Sequence, residues 1–246
     1  MVLLYRIYFI FIALPILFVA TVITAIITAF GSILFHGPWF GYYPAHIWSK
    51  LFCILSFVRI TIKGRDNVDS GTQYVFVANH QGAYDIFSIY GYLGHRFKWM
   101  MKKSLEKIPL VGYACLKAGH IFVDNSSSSA LLSTMRAAEN QLKDGVSLVV
   151  FPEGSRTKDG HIQRFKRGAY QLSREFQLPL VPITIDGAYK VMKRTAILPT
   201  YGHITLTIHK PVPPPAFPDG DLKEAMDITF KEIESSLPEE NRKKEG

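Results

Sequence analysis

Between Arg6 and Lys50 the chain has no aspartate, glutamate, lysine or arginine, and this limits what it can fold into more than any other feature. Residues 7–34 (IYFIFIALPILFVATVITAIITAFGSIL) form one uninterrupted apolar stretch. As a helix it exceeds the roughly 20 residues needed to cross a bilayer. It is also longer than the about 7–15 residues of a secretory h-region, so it reads as a retained segment. An all-round apolar helix of this length needs more covering protein than 246 residues supply, which places it at a membrane. A second apolar stretch, 44–58 (PAHIWSKLFCILSFV), follows the turn-like HGPWFGYYP. The rings of Trp39, Phe40, Tyr42, Tyr43 and Trp48 read as interfacial anchors, because such rings are amphipathic. Hydropathy leaves two geometries open: a single span, or a helical hairpin that dips in and returns.

Beyond residue 58 the charge returns and short β-like runs alternate with helical ones, so the reading divides the chain into a membrane-associating segment 1–58 and an α/β domain 59–246. RITIKG (59–64), YVFVAN (74–79), FKWMM (97–101), HIFV (120–123), SLVVF (147–151), PLVPITID (179–186) and HITLTIH (203–209) are expected strands. Helices are expected over 126–145, with serines as N-cap, apolar spacing through Leu131, Met135, Ala138 and Leu142, and Gly145 as stop; over 167–176; and over 221–236, after the proline-rich connector 211–220. Strands separated by helices imply a mainly parallel or mixed sheet flanked by helices, preceded here by the apolar helical hairpin. The two cysteines, Cys53 and Cys115, lie in apolar contexts and read as buried free thiols. The Asn125-Ser126-Ser127 sequon is a weak match.

The formal charge of +8 suits an anionic membrane or a phosphorylated substrate. No lysine/arginine run of nucleic-acid-binding type occurs; the dense cluster Arg242, Lys243 and Lys244 is mixed with glutamate and reads as a solvated tail. The P-loop, the dinucleotide G-x-G-x-x-G, the G-x-S-x-G elbow, C-x-x-C and H-E-x-x-H are all absent from the sequence. Two segments stand out instead, each directly after an apolar strand, where open α/β sheets place their sites. The first is Asn79-His80-Gln81-Gly82-Ala83-Tyr84-Asp85. On a regular helix His80 and Asp85 would not share a face, but they meet if His80 lies in the turn and Asp85 in the first helical turn, a bend Gly82 eases. A carboxylate on one imidazole nitrogen fixes the tautomer and leaves the other nitrogen to take a proton. The second segment is Phe151-Pro152-Glu153-Gly154-Ser155-Arg156-Thr157, where Gly154 and nearby amides suit an anion and Arg156 can grip a phosphate bidentately. A base without a protein nucleophile points to direct activation of a substrate hydroxyl.

NHQGAYD resembles the N-H-x-x-x-x-D motif of the glycerolipid acyltransferases, and FPEGSRT their F-P-E-G-[TS]-R-S motif. KKSLEKIPLVGYACLKAGHIFVDN (102–125) is similar to that family's second block and VPITI (181–185) to its fourth. Size and motifs look most like the bacterial 1-acyl-glycerol-3-phosphate acyltransferase type. The resemblance implies that His80 takes the proton of an acceptor hydroxyl as it attacks an acyl thioester, with Asp85 orienting His80. It also implies that Glu153, Gly154 and Arg156, helped by Lys102 with Lys103 as rival, hold the acceptor phosphate, with Asn79, Ser155 and Thr157 as motif support. Backbone amides at the start of the helix after His80 are the expected oxyanion donors. The implied partners are membrane lipids and acyl-CoA or acyl-carrier protein as donor substrate, with no metal or organic cofactor and no nucleic acid. Because those donors are cytosolic, the domain is expected on the cytoplasmic face of the inner or plasma membrane, which leaves a re-entrant or interfacial hairpin, the favoured geometry, or a span with its N-terminus outside. One departure is Asn125, where the family's second block carries an arginine associated with the acceptor phosphate.

Other readings are the same chemistry on glycerol 3-phosphate or another lysolipid, and a membrane lipid-binding protein without turnover. The paired His80 and Asp85 weigh against the second, since a binder needs no base. A metal-dependent hydrolase is disfavoured because one His/Asp pair supplies too few ligands.

Overall fold

The computed structural model describes residues 1–35, 39–124, 128–142, 145–216 and 220–243. The strands are β1 (Val58–Lys63), β2 (Val75–Ala78), β3 (Phe97–Lys102), β4 (Ile121–Val123), β5 (Ser147–Val150), β6 (Leu180–Asp186) and β7 (Gly202–Ile208). The helices are α1 (Val2–Tyr8), α2 (Leu14–Leu34), α3 (Tyr43–Leu55), α4 (Tyr84–Tyr92), α5 (Val111–Lys117), α6 (Ser128–Leu142), α7 (Gly168–Glu175), α8 (Ala188–Met192) and α9 (Leu222–Ser235). The seven strands form one sheet in the order β1-β7-β6-β2-β5-β3-β4, parallel except where β6 meets β7. This is the mixed sheet the alternating pattern implies. The apolar spacing also holds in α6: Ala138 and Leu142 are buried with Met135 beside them. The serine cap expected before α6, the side chain of Leu131, Asn125 with its sequon, and Lys244 lie outside the described residues.

β2 shows why its sequence is continuously apolar. Phe76 and Ala78 point into the core under α3, α4 and α8, while Val75 and Val77 point into the opposite core under α7 and α9. A strand covered on both faces has no solvent side to make polar. Its neighbours are β5 and β6, both parallel to it. The C-terminal ends of these three strands therefore lie together and deliver residues 79–85, 151–157 and 187–192 to one edge of the sheet.

α1, a π-helical turn (Phe9–Ala13) and α2 run on as one helix, Val2–Leu34. The wide turn sits just before Pro15, whose ring would clash with the carbonyl four residues back in a regular helix. The helix is long and apolar enough to cross a membrane. One narrow stripe of it is buried on the body: Tyr5, Phe9, Ala13 and Leu17, then Ala25, Ala29 and Gly31. Tyr5 donates to the Ser56 carbonyl (3.2 Å), Trp48 donates to Thr21 (2.8 Å), and Leu51, Phe52, Leu55 and Leu198 pack on the first half. Farther along, α2 packs against α5. At 1.5 Å per residue the stripe from Tyr5 to Gly31 runs about 40 Å along the protein. The opposite face is apolar and uncovered, with Phe11, Phe18 and Phe30 each more than 60% exposed. So large an apolar face is a membrane-associating surface. Trp39 and Tyr43 are exposed beside it, as an interfacial anchor requires, whereas Tyr42 is buried in the main core and Trp48 is half-buried against Phe52 and Phe87. Both cysteines are free, Cys53 fully buried and Cys115 partly so.

Candidate active site

β2 ends at Ala78, and Asn79 carries its pairing one residue further through a side chain. The Asn79 amide donates to the Ile185 carbonyl (2.9 Å), and its oxygen accepts from the Ile185 N–H (2.7 Å). This locks the start of the turn to β6. His80 follows in the turn, and Asp85 lies in the first turn of α4, as its spacing requires. The two side chains meet: His80 Nδ1 donates to Asp85 Oδ2 at 2.7 Å. The same oxygen accepts the backbone N–H of Gln81 (2.6 Å) and of Gly82 (2.8 Å). Asp85 is fully buried and thus fixed by three donors, while its Oδ1 has no protein partner among the described residues. The imidazole is slightly exposed, and Nε2 has no protein partner among the described residues.

Gly82 serves a different purpose from the one its sequence position suggests. Its φ is not positive; a Cβ there would lie 2.5 Å from the Ala188 carbonyl oxygen and 2.7 Å from that of Met192. Its role is close approach of α8 to the turn. The Ala83 N–H donates to the Met192 carbonyl (3.2 Å). The amides of Gln81, Gly82 and Ala83 are therefore all engaged, so oxyanion donors at this turn would have to come from the first turn of α4, which starts at Tyr84.

The second motif wraps the first. Glu153, 5% exposed, accepts the His80 N–H at 2.7 Å on one oxygen and the Gln163 N–H at 3.1 Å on the other. Burial pushes its carboxyl up to about 8. With both oxygens occupied by backbone donors, Glu153 braces the turn. Thr157 is buried, and its N–H donates to the His80 carbonyl (2.9 Å). His80 is thus held through its own N–H, its own C=O and its ring. Phe151 stacks flat on the imidazole, with centroids 3.9 Å apart and planes 7° from parallel. Gly154 has φ +75°, and a Cβ there would lie 2.6 Å from the ammonium of Lys166. Ser155 and Arg156 line a cavity of about 480 Å³ beside the turn.

Lys102 ends β3 and is exposed, without an ion-pair partner among the described residues. Its rival Lys103 is paired with Glu106 at 3.1 Å. Among the described residues no group of three His, Cys, Asp or Glu side chains is placed to hold a metal ion.

A family model described as Acyltransferase matches residues 59–186, just over half the chain and containing both motifs. The chain belongs to this acyltransferase family. It is 33% identical over 176 residues to the chloroplastic 1-acyl-sn-glycerol-3-phosphate acyltransferase LPAT1 of Arabidopsis thaliana, covering 70% of this chain and 49% of that one. It is 31% identical over 140 residues to the 1-acyl-sn-glycerol-3-phosphate acyltransferase of Helicobacter pylori, covering 56% of this chain and 59% of the relative. The chain spans about half the length of the first curated relatives it matches. The crystal structure of the 1-acyl-sn-glycerophosphate acyltransferase PlsC from Thermotoga maritima superposes with a TM-score of 0.77 at 26% identity, over 94% of this chain and 92% of that one. Membership accounts for the block order read from the sequence.

The packing of Phe151 on His80 and the bracing by Glu153 and Thr157 were missed at the level of roles, although all three lie in the motif. Arg194, which also lines the cavity, carries no sequence signal that could have found it; Lys243, also in the lining, stood out in the sequence only as part of the C-terminal basic cluster. Nor is the C-terminal cluster a simple solvated tail. Asn241 is buried, its side chain donating to the Gly160 carbonyl (2.9 Å), and the Arg242 side chain donates to the Leu237 carbonyl (3.1 Å).

Proposed function

We propose that this acyltransferase moves an acyl group from a thioester, acyl-CoA or acyl-carrier protein, to the free sn-2 hydroxyl of 1-acyl-glycerol 3-phosphate, producing phosphatidic acid. The observation that carries the reading is the 2.7 Å bond from His80 Nδ1 to Asp85 Oδ2, which leaves Nε2 without a protein partner among the described residues on a slightly exposed ring. Nε2 takes the hydroxyl proton as the oxygen attacks the thioester carbonyl. The tetrahedral intermediate then collapses, the thiolate leaves, and the imidazolium returns the proton to it. Asp85 holds the tautomer and balances the transient positive charge. Arg156 and Lys102 are the cations that take the acceptor phosphate, and no metal or organic cofactor enters the reaction.

The acceptor carries one acyl chain and resides in a bilayer. Withdrawing it into water costs about 0.8 kcal/mol per CH₂. The buried stripe of Val2–Leu34 supports a helix lying in the membrane interface rather than crossing alone, since crossing would strip it from α3 and α5. The domain then works at the cytoplasmic face, where thioester donors are made. The test is purified full-length protein on vesicles with a labelled acyl thioester and a panel of acceptors: 1-acyl-glycerol 3-phosphate, glycerol 3-phosphate and lysolipids with other head groups. Preferential acylation of the first, lost in His80→Ala, is expected. Equal transfer by His80→Ala overturns the base assignment, and preference for another acceptor overturns the substrate.

A further inference from the structure

The cavity beside the catalytic turn has more positive charge than one acceptor phosphate can balance. Its walls come from three parts of the chain: the motif loop, with Arg156, Lys158 and Arg164; the segment after α8, with Arg194; and the C-terminal residues, with Lys243. Arg194 and Lys243 lie outside the region matched by the family model. The three walls are pinned to one another. Tyr189 donates to the Lys158 carbonyl (3.2 Å), Lys190 pairs with Glu240 (2.7 Å), and the Asn241 carbonyl accepts the Ile162 N–H (2.9 Å). None of the five cationic side chains forms an ion pair among the described residues. The one carboxylate in the lining, Asp159, accepts from the Thr157 hydroxyl (3.1 Å) and the His161 N–H (3.2 Å), lies 3.5 Å from the His161 ring, and offsets only one of the five positive charges.

Five cations facing one volume repel each other unless an anion joins them. A phosphomonoester has a charge of about −1.5 to −2. Arg156 is one residue from Thr157, which bonds the His80 backbone, and with Lys102 it meets that need. Lys158, Arg164, Arg194 and Lys243 remain. A volume of about 480 Å³ is that of a small-molecule site rather than of a single phosphate. We infer that this cavity receives the phosphate-bearing nucleotide end of the acyl donor, the 3′-phosphorylated adenosine diphosphate of acyl-CoA, while its thioester reaches His80. The inference rests on the acyl-transfer reading and adds to it a second phosphate subsite with Arg194 and Lys243 as its own residues.

Both residues are exposed on connecting segments, so Arg194→Gln and Lys243→Gln leave the fold intact, which a thermal melt checks. The double variant is expected to raise the KM for acyl-CoA by roughly tenfold or more, with kcat and the KM for the lyso-acceptor unchanged, as loss of uniform donor binding requires. Adenosine 3′,5′-bisphosphate is expected to bind the wild type by calorimetry, to compete with acyl-CoA, and to bind the double variant far more weakly. A rise in the acceptor KM instead assigns the cavity to the acceptor. Loss of sedimentation with anionic vesicles without loss of bisphosphate binding assigns it to membrane lipid. A KM effect confined to acyl-carrier protein assigns it to that donor. Each of these overturns the inference, as does an absence of bisphosphate binding to the wild type. Calorimetry needs no turnover, so a protein that binds the bisphosphate but transfers no acyl group fails the reaction reading alone.

Discussion

The Phe151 ring covers one face of the His80 imidazole at 3.9 Å, and Trp99 stacks behind Phe151 at 5.3 Å. Proton abstraction makes that imidazole a cation, and an aromatic face stabilises a cation lying on it by ~0.5–2 kcal/mol. Phe151→Leu keeps apolar volume but removes the π face. The expected result is a fall in kcat of about 2- to 30-fold with both KM values near wild type, measured by steady-state kinetics. An unchanged kcat with a lowered melting temperature would show that Phe151 only packs.

His80→Ala is expected to lower kcat/KM by about 10²–10⁴-fold, the usual value of a positioned base. Asp85→Asn should also fall steeply, for two reasons. The amide no longer holds the Nδ1–H tautomer, and three donors converge on an atom that has lost its charge. Vesicle sedimentation should be unchanged in both. Rates within a few-fold of wild type would move the base elsewhere.

Glu153 makes stability depend on pH in a definite direction. Its carboxyl ordinarily titrates at 4.5 and is pushed up to about 8 by burial, so the folded protein holds this proton more tightly than the unfolded chain does. The stabilisation is fully present below pH 4.5 and is lost as pH rises through about 8. Urea midpoints of the wild type should therefore decline across that window, and those of Glu153→Gln should decline less. Parallel slopes for the two proteins would refute the shift.

Neighbouring residues on the long helix should separate by face. Leu17 is 1% exposed in the stripe on α3, and Phe18 is 69% exposed on the outer side. Leu17→Ala is expected to lower stability by ~2–5 kcal/mol while vesicle binding persists. Phe18→Glu should weaken sedimentation with vesicles and leave the melting temperature of the α/β body nearly unchanged. Equal behaviour of the two variants would contradict a helix lying along the domain.

Gly82→Ala tests the close approach of α8. A Cβ at 2.5 Å from the Ala188 carbonyl oxygen meets backbone, which cannot swing away as a side chain would. Lower stability and lower activity together are expected, measured by thermal melt and turnover. A variant as stable and as active as the wild type would show that α8 can move.

The sequence by itself determined what depends on near neighbours. Alternating and continuous apolar runs marked the seven strands to within a residue or two. The uncharged run 7–49 marked the membrane face, and a five-residue spacing across a turn brought His80 to Asp85. These are legible because side-chain period and strand-to-turn geometry act over a few residues. Tertiary structure alone decided the rest. That Glu153 grips the His80 backbone across a separation of 73 residues follows from β2 and β5 being sheet neighbours. That Asn79 locks onto Ile185 follows from β2 lying beside β6. Arg194 and Lys243 join Arg156 because α8 abuts the catalytic turn and Asn241 anchors the C-terminal residues to the motif loop. The long helix lies along the body instead of leaving it because Tyr5, Phe9, Ala13 and Leu17 find partners on α3 and at Leu198. Hydropathy is the same for a helix that crosses and one that lies flat; only partners brought in from distant sequence distinguish them.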